Sequence, residues 1–266
     1  MLQYLFGAVV VGLTTADLLK YQMNQQDYVV KKPVDFVSIV IPSLGEEKTI
    51  EQCLQSIRNQ SIIRLYPDMV EIILVDSGST DETVHLAEPY VDKIIQAPNG
   101  KLTARNLAIN EARGNIIVSV DADCYYGEHW LNTLLSEFND PNVVAVSGST
   151  IDNDAISPIL QDFVYVLDNL GRAISYPDKM SGRNSAFYKH IFYLSGRFDE
   201  SINQLDVDEM LKEEEYGFGK RLSKYGTVKY KLNASTIHLG GYRGLCRLGI
   251  GDERCKSDRI KIERFG

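Results

Sequence analysis

Cysteine is scarce in this chain of 266 residues: Cys53, Cys124, Cys246 and Cys255 are scattered and form no CxxC pair. That spacing excludes a disulfide framework and a cysteine zinc site, and describes free thiols in a reducing compartment. A basic excess is missing too. Lys and Arg total 28 against 36 Asp and Glu, for a net charge of -8, where a nucleic-acid binder carries a basic face. A nucleotide is still allowed, because a metal can neutralise its phosphates. The sequence holds no internal repeat and no low-complexity segment. At 44% apolar and 24% charged residues it lies far from the disordered regime. No GxGxxG follows the first predicted strand and no GxxxxGK[ST] occurs anywhere, which disfavours dinucleotide oxidoreductases and P-loop enzymes.

What is present begins with an apolar amino-terminal segment. Leu2 to Leu19, LQYLFGAVVVGLTTADLL, contains no basic residue and one acid, Asp17. As a helix it would span ~27 Å, close to the ~30 Å hydrocarbon core of a bilayer. The first lysines, Lys20, Lys31 and Lys32, follow it, so the positive-inside rule leaves the rest of the chain at the cytoplasmic face. No basic n-region marks a cleaved signal peptide. Residues 1–20 are therefore read as a membrane-anchor helix and residues 21–34 as a linker. Gln3, Thr14, Thr15 and Asp17 keep two alternatives open: an interfacial grip on one leaflet, or a helix packed on the surface of a soluble cytoplasmic protein.

Ile116 to Val120, IIVSV, has the composition of a buried strand and runs into Asp121-Ala122-Asp123. Residues two apart on a strand face the same side, so the two carboxylates can aim at one point. A hard divalent cation shared with phosphate oxygens would satisfy them. The alternative is a strand end running into an Asp-rich turn, and the aspartates alone do not choose.

The residues upstream set the context. Phe36 to Pro42, FVSIVIP, is an apolar run stopped by proline, and a helical pattern with Ile50, Cys53, Leu54 and Ile57 on one face follows. Val70 to Val75 is a second strand, ending in the small polar loop Asp76-Ser77-Gly78-Ser79-Thr80-Asp81. Asp81 is placed to cap a helix starting near Glu82. Ile94-Ile95 is a brief third strand, and Leu102 to Ala112 a helix leading to Gly114 and the strand at Ile116. Strand–helix alternation of this kind predicts a parallel sheet with right-handed crossovers. In such sheets ligands bind outside the carboxyl ends of the strands.

Taken together, VSIVIPSLGEEKTIEQCLQSI, EIILVDSGSTDET, NGKLTARNLAINEARGNIIVSVDADC and the later GRNSAFYK resemble glycosyltransferase family 2, from about Phe36 to His238. The resemblance implies an α/β GT-A fold: a single Rossmann-like, mostly parallel sheet flanked by helices, with a smaller acceptor-side subregion. It divides the chain into a nucleotide-sugar half (35–150), an acceptor and catalytic-base half (151–240) and a basic tail (241–266). It also implies inverting transfer of a sugar from a nucleotide-sugar, a UDP-sugar by preference, with Mn2+ or Mg2+. The acceptor would be a glycan, a lipid-linked sugar or a protein; no nucleic-acid partner is implied.

Residue by residue, Pro42 and Glu46 or Glu47 match the block bordering the nucleoside. Ser43-Leu44-Gly45 stands where the family has an aromatic or Arg followed by Asn. Asp76 matches the aspartate that reads the nucleobase edge, with Ser77 beside it. Lys101 and Arg105 sit where basic side chains approach the base or diphosphate. Asp121 matches the ribose- and metal-facing aspartate, Ala122 the spacer, and Asp123 the direct metal ligand. Asn184, in the Gly-x-Asn block, is implied to lie near the transferred sugar. The family's Glu-Asp pair precedes an Arg-Leu pair. Counting back from Arg221 gives Glu214 and Glu215, so a glutamate replaces the aspartate that acts as general base; Glu215 is the first choice and Glu214 the second. His238 matches a histidine that approaches metal or diphosphate, although a lone His is as often a packed or capping residue. Arg243 and Arg247 could clamp phosphate. The QxxRW block of processive synthases is missing, which argues against long-polymer synthesis and export. A sugar nucleotidyltransferase would need a Gly-rich loop ending in Arg and Lys after the first strand, and SLGEEKT lacks it. A non-catalytic carbohydrate-binding descendant of the fold is the remaining alternative.

Overall fold

The computed structural model describes residues 31–152, 178–204 and 213–239. The segment at 2–19, most of the linker, residues 153–177 and 205–212, and the tail with Arg243 and Arg247 lie outside the described residues. Among the described residues no helix is long and apolar enough to cross a membrane.

The apolar runs form the strands that their composition predicts. β1 (Val37–Ser43), β2 (Val70–Asp76) and β4 (Ile116–Val120) are buried along their whole lengths, as strands covered on both faces must be. β3 (Lys93–Gln96) completes a parallel set in which β2 lies between β3 and β1, and β1 between β2 and β4. Alternate side chains then feed two cores. Ile39, Ile41, Ile72 and Leu74 face α1 (Ile50–Arg58), whose Ile50, Cys53, Leu54 and Ile57 are buried as the helical pattern requires. Val40, Ile73 and Val75 belong to the opposite core, with Leu102, Ala108 and Ile109 of a second long helix, Lys101–Glu111.

The second half adds β5 (Cys124–Tyr126), β6 (Val143–Asp152), β7 (Asn184–Tyr188) and β8 (Thr227–His238), giving the order β3-β2-β1-β4-β7-β6-β8-β5. β7 runs antiparallel between β4 and β6, β8 is parallel to β6, and β5 is antiparallel to β8. Among the described residues four of the seven pairings are parallel, so the sheet is mixed in its second half. β7 takes up Asn184 to Tyr188 of the Gly-x-Asn block, whose polar opening carries no local strand signal. β8 continues through Thr236-Ile237-His238, its register against β6 shifting between Gly148 and Thr150. The helix at Trp130 ends at Leu135 and tightens into a 3-10 turn over Ser136–Asn139.

At the edge of the sheet remote from Asp76, the buried carboxylate of Glu71 joins three segments. It accepts from Ser38 Oγ at 2.5 Å, from the Arg113 amide at 2.6 Å and from Arg113 Nε at 2.7 Å. Burial alone would raise its pKa; the Ser38 hydroxyl and the Arg113 amide and guanidinium outweigh that and lower it from 4.5. Replacing Glu71 by Ala is expected to cost about 1–3 kcal/mol. Because the folded value is the lower one, that contribution is complete above the unfolded value and disappears as pH falls through the folded one. Urea midpoints of the wild-type and Glu71→Ala chains should therefore converge in acid.

Candidate active site

The loops at the carboxyl ends of β1 and β2 are tied together by Asp76. Its Oδ1 accepts from Ser43 Oγ at 3.3 Å and from Ser79 Oγ at 2.5 Å, and its Oδ2 from the amides of Gly78 at 3.1 Å and Ser79 at 3.0 Å. Gly78 sits at φ 92°, a conformation that glycine takes without strain, and this turns the loop back over the carboxylate. The Gly45 amide donates to Ser79 Oγ at 2.9 Å and the Glu46 amide to Thr83 Oγ1 at 2.7 Å. Pro42 is buried within β1 opposite Val75; Glu46 is partly exposed and Glu47 exposed. Ser77 is buried and its hydroxyl finds no partner among the described residues, an uncommon state for a buried hydroxyl.

Beyond β4 the charges concentrate. Asp121 is buried, and its carboxylate meets three cations: Arg105 through Nη2, Lys101 Nζ at 3.4 Å and Arg183 Nε at 3.8 Å. Burial alone would raise its pKa; Lys101, Arg105 and Arg183 outweigh that and hold it at about 2. Tyr126 fixes this strand end from behind. Its hydroxyl accepts from the Asp121 amide at 3.2 Å and donates to the Arg183 carbonyl at 2.8 Å. Ser119 Oγ donates to the Gly182 carbonyl at 2.7 Å, so the segment Gly182-Arg183 is held against β4.

Asp123 faces a different partner. His238 Nε2 lies 3.0 Å from its Oδ2, and the backbone ladder of β5 and β8 holds the pair, with Cys124 opposite His238 and the Leu239 amide donating to the Asp123 carbonyl at 2.8 Å. A carboxylate oxygen and an imidazole nitrogen aimed at one spot are two donors for a divalent cation. Among the described residues no three His, Cys, Asp or Glu side chains are grouped to hold a metal. The fit is therefore to an ion such as Mn2+ or Mg2+ that keeps waters and shares substrate phosphate oxygens. The thiols of Cys53 and Cys124 next to this site are buried, and burial pushes both up, so they stay protonated and unreactive.

The acidic turn Glu213–Gly217 precedes the helix Phe218–Leu222. Its two candidate carboxylates diverge. Glu214 is buried and engaged by Arg105 Nη1 and by Lys101 Nζ at 3.6 Å. Glu215 is partly exposed and pairs with Lys179 Nζ at 2.7 Å. Lys179 also lies over the Tyr216 ring, 4.6 Å from its centre.

The family model described as Glycosyl transferase family 2 matches residues 38–182, more than half of the chain. The chain belongs to this family. Among its relatives are a hyaluronan synthase of Pasteurella multocida, 29% identical over 217 residues, and a chondroitin synthase of Escherichia coli, 31% identical over 224 residues. The matches cover 78% and 77% of this chain but only 22% and 30% of those proteins, so the chain spans less than a third of either. A solved structure, the mannosyltransferase PcManGT of Pyrobaculum calidifontis in complex with GDP-Man and Mn2+, superposes with a TM-score of 0.63 at 22% identity, covering 93% of this chain and 71% of that one. The fold is GT-A.

Within this family-2 frame, the structure brings Lys101, Arg105, Asp121 and Glu214 into one cluster, with Asp123 and His238 as a pair on the neighbouring strand ends. Arg105 lies deeper than a contact to base or diphosphate requires: it is 0% exposed. Asn184 departs further from its expected place near the sugar. It is fully buried, its Oδ1 accepting from Trp130 Nε1 at 2.8 Å and its Nδ2 donating to the carbonyls of Ser149 at 2.6 Å and Ala234 at 2.8 Å. The amide thus ties β7 to β6, β8 and the Trp130 helix. Asn184→Leu should leave those three groups unpaired and destabilise the chain by about 2–5 kcal/mol, at ~1–3 kcal/mol for each buried orphan partly relieved by water; the drop in the chemical-denaturation midpoint measures it. Tyr126 and Lys179 acquire their partners only through tertiary contact, so no sequence pattern marks them.

Proposed function

We propose that the chain is an inverting, divalent-metal-dependent glycosyltransferase. It moves a sugar from a nucleotide-sugar, preferably a UDP-sugar, to a hydroxyl of a glycan, a lipid-linked sugar or a protein. The observation that carries this reading is the meeting, at the carboxyl end of β4, of the Asp121 charge cluster, the Asp123–His238 pair and the Glu214-Glu215 turn. Family membership supports the reaction class.

Charge dictates the division of labour. Lys101 and Arg183 are the members of the cluster with solvent access, their side chains 16% and 19% exposed, so they are assigned to the diphosphate. Asp123 and His238 would hold the cation. Their mixed carboxylate and imidazole donors suit Mn2+ better than Mg2+, which prefers oxygen ligands. When bound, the ion supplies Lewis acidity against the negative charge of the leaving nucleoside diphosphate. Glu215 is assigned as general base: it keeps solvent access, whereas Glu214 already serves two cations. The acceptor oxygen attacks the anomeric carbon as the bond to the diphosphate oxygen breaks, and the hydroxyl proton passes to the Glu215 carboxylate. Attack opposite the leaving group inverts the anomeric centre in one displacement. Attachment to the cytoplasmic face of a membrane through residues 2–19 completes the proposal.

A thermal-shift screen tests the donor assignment, because a ligand that binds only the native state raises the midpoint. A panel of UDP-sugars and GDP-mannose with Mn2+ should raise it for at least one UDP-sugar, and less when Mn2+ is left out. No shift with any UDP- or GDP-sugar would contradict the reading.

A further inference from the structure

Two cations and two carboxylates close into a ring at the centre of the site. Lys101 and Arg105 stand one turn apart on the helix Lys101–Glu111 and so share a face. Each reaches both acids. Lys101 Nζ lies 3.4 Å from Asp121 Oδ2 and 3.6 Å from Glu214 Oε2, while Arg105 meets Asp121 Oδ1 through Nη2 and Glu214 Oε1 through Nη1. The arginine side chain is 0% exposed and that of Glu214 is 2% exposed. Gly182 makes room for them: a Cβ there would overlap the Glu214 carboxylate and the Arg105 guanidinium. The ring therefore joins the strand end carrying Asp121-Ala122-Asp123 to the turn carrying Glu214-Glu215, and its Arg105–Glu214 side is shielded from solvent.

Net stability is a poor explanation for such a device, since desolvation offsets much of the Coulomb gain and apolar residues of similar volume would hold the helix as well. Geometry is a better one. A planar guanidinium that hydrogen-bonds Asp121 through Nη2 and pairs with Glu214 through Nη1 fixes the spacing of the carboxylates it bridges. Resting on the transfer reading above, we infer that Arg105 is a positioning residue, a buried strut that sets the reach between the diphosphate end at Asp123 and the acceptor end at Glu215. Glu214 is the strut's anchor on the acceptor side. A glutamate in place of aspartate at position 215 adds a methylene of reach, and a rigid strut is what keeps that longer arm in register with the donor.

The test separates binding from turnover. The dissociation constant of UDP with Mn2+ (or of GDP, if the chain binds that instead) is measured by calorimetry. The kcat for metal-dependent release of the same nucleoside diphosphate from its nucleotide-sugar is measured beside it. The variants are Glu214→Gln, Arg105→Lys and the double Arg105→Met with Glu214→Gln. The first keeps shape and removes charge, the second keeps charge and removes the fork, and the third removes both buried charges together, so that a folded variant is in hand even if a single one melts. Each single variant should lower kcat by roughly 100-fold, the cost of about an ångström of misplacement, with the dissociation constant unchanged because Lys101 and Arg183 still hold Asp121. The double variant should be no slower than the slower single one, since the strut is already broken. Binding and turnover falling together, turnover unchanged in either folded single variant, or additive losses in the double would each overturn the inference alone. A wild-type chain that binds neither UDP nor GDP would overturn the transfer reading and the inference with it.

Discussion

Glu215→Gln is expected to lower turnover by roughly 100- to 10,000-fold, the contribution of a positioned general base, while UDP and Mn2+ bind as before. The substitution keeps the size and hydrogen-bonding reach of the side chain and removes only its capacity to take a proton. Its partner Lys179, 2.7 Å away, would lose an ion pair on a partly exposed side chain, worth about 0–1 kcal/mol at most, so the fold should survive and thermal midpoints should barely move. Steady-state release of nucleoside diphosphate, set beside calorimetric binding of UDP with Mn2+, separates the two effects. Full turnover by Glu215→Gln would remove the base from this residue.

The second large effect is expected from Asp123→Ala. Asp123 and His238 bring two metal-binding atoms within 3.0 Å of each other. Asp121, two residues earlier, already answers to Lys101, Arg105 and Arg183. Loss of Asp123 should abolish the enhancement of UDP binding by Mn2+. Changes to outer partners of metal ligands already cost about 10–100-fold in affinity, so removing a ligand should cost at least about 100-fold. Asp121→Asn should instead weaken UDP binding whether or not Mn2+ is present, because it disturbs the cations. Calorimetric titration of UDP with and without Mn2+ distinguishes the two. Equal Mn2+ enhancement in the wild-type and Asp123→Ala chains would place the cation elsewhere.

The first half of the sheet was legible because its elements follow local rules. Ile116 to Val120 and Val70 to Val75 are β-branched and apolar throughout, and strands buried on both faces have that composition. The helix over 50–58 shows its buried side in the spacing of Ile50, Cys53, Leu54 and Ile57. Pro42, Asp76 and the Asp-Ala-Asp stretch could then be placed at strand ends from their position in the rhythm alone. The second half followed other rules. β7 opens with Asn184-Ser185, a polar pair buried by specific partners: Trp130 and the carbonyls of Ser149 and Ala234 satisfy the amide, and no local pattern announces them. β8 hides its length for a related reason, since Leu232-Asn233-Ala234-Ser235 interrupts the alternation and the register shift opposite Gly148 and Thr150 absorbs the irregularity.

Depth was the other thing the sequence could not supply. Lys101 and Arg105, four residues apart, could be read as a basic pair on one helix face. Which of them reaches solvent depends on Gly182 and Glu214, residues from distant segments. The same holds for Glu214 and Glu215, which a count back from Arg221 places side by side and which the fold separates into a buried member and a partly exposed one.

Incubating the full chain with a panel of nucleotide-sugars, with and without Mn2+, and identifying the phosphate product tests the central claim most directly. Release of a nucleoside diphosphate that requires the metal and is lost in Glu215→Gln is the predicted result. Formation of pyrophosphate, or turnover indifferent to Mn2+ and to Glu215, would contradict it.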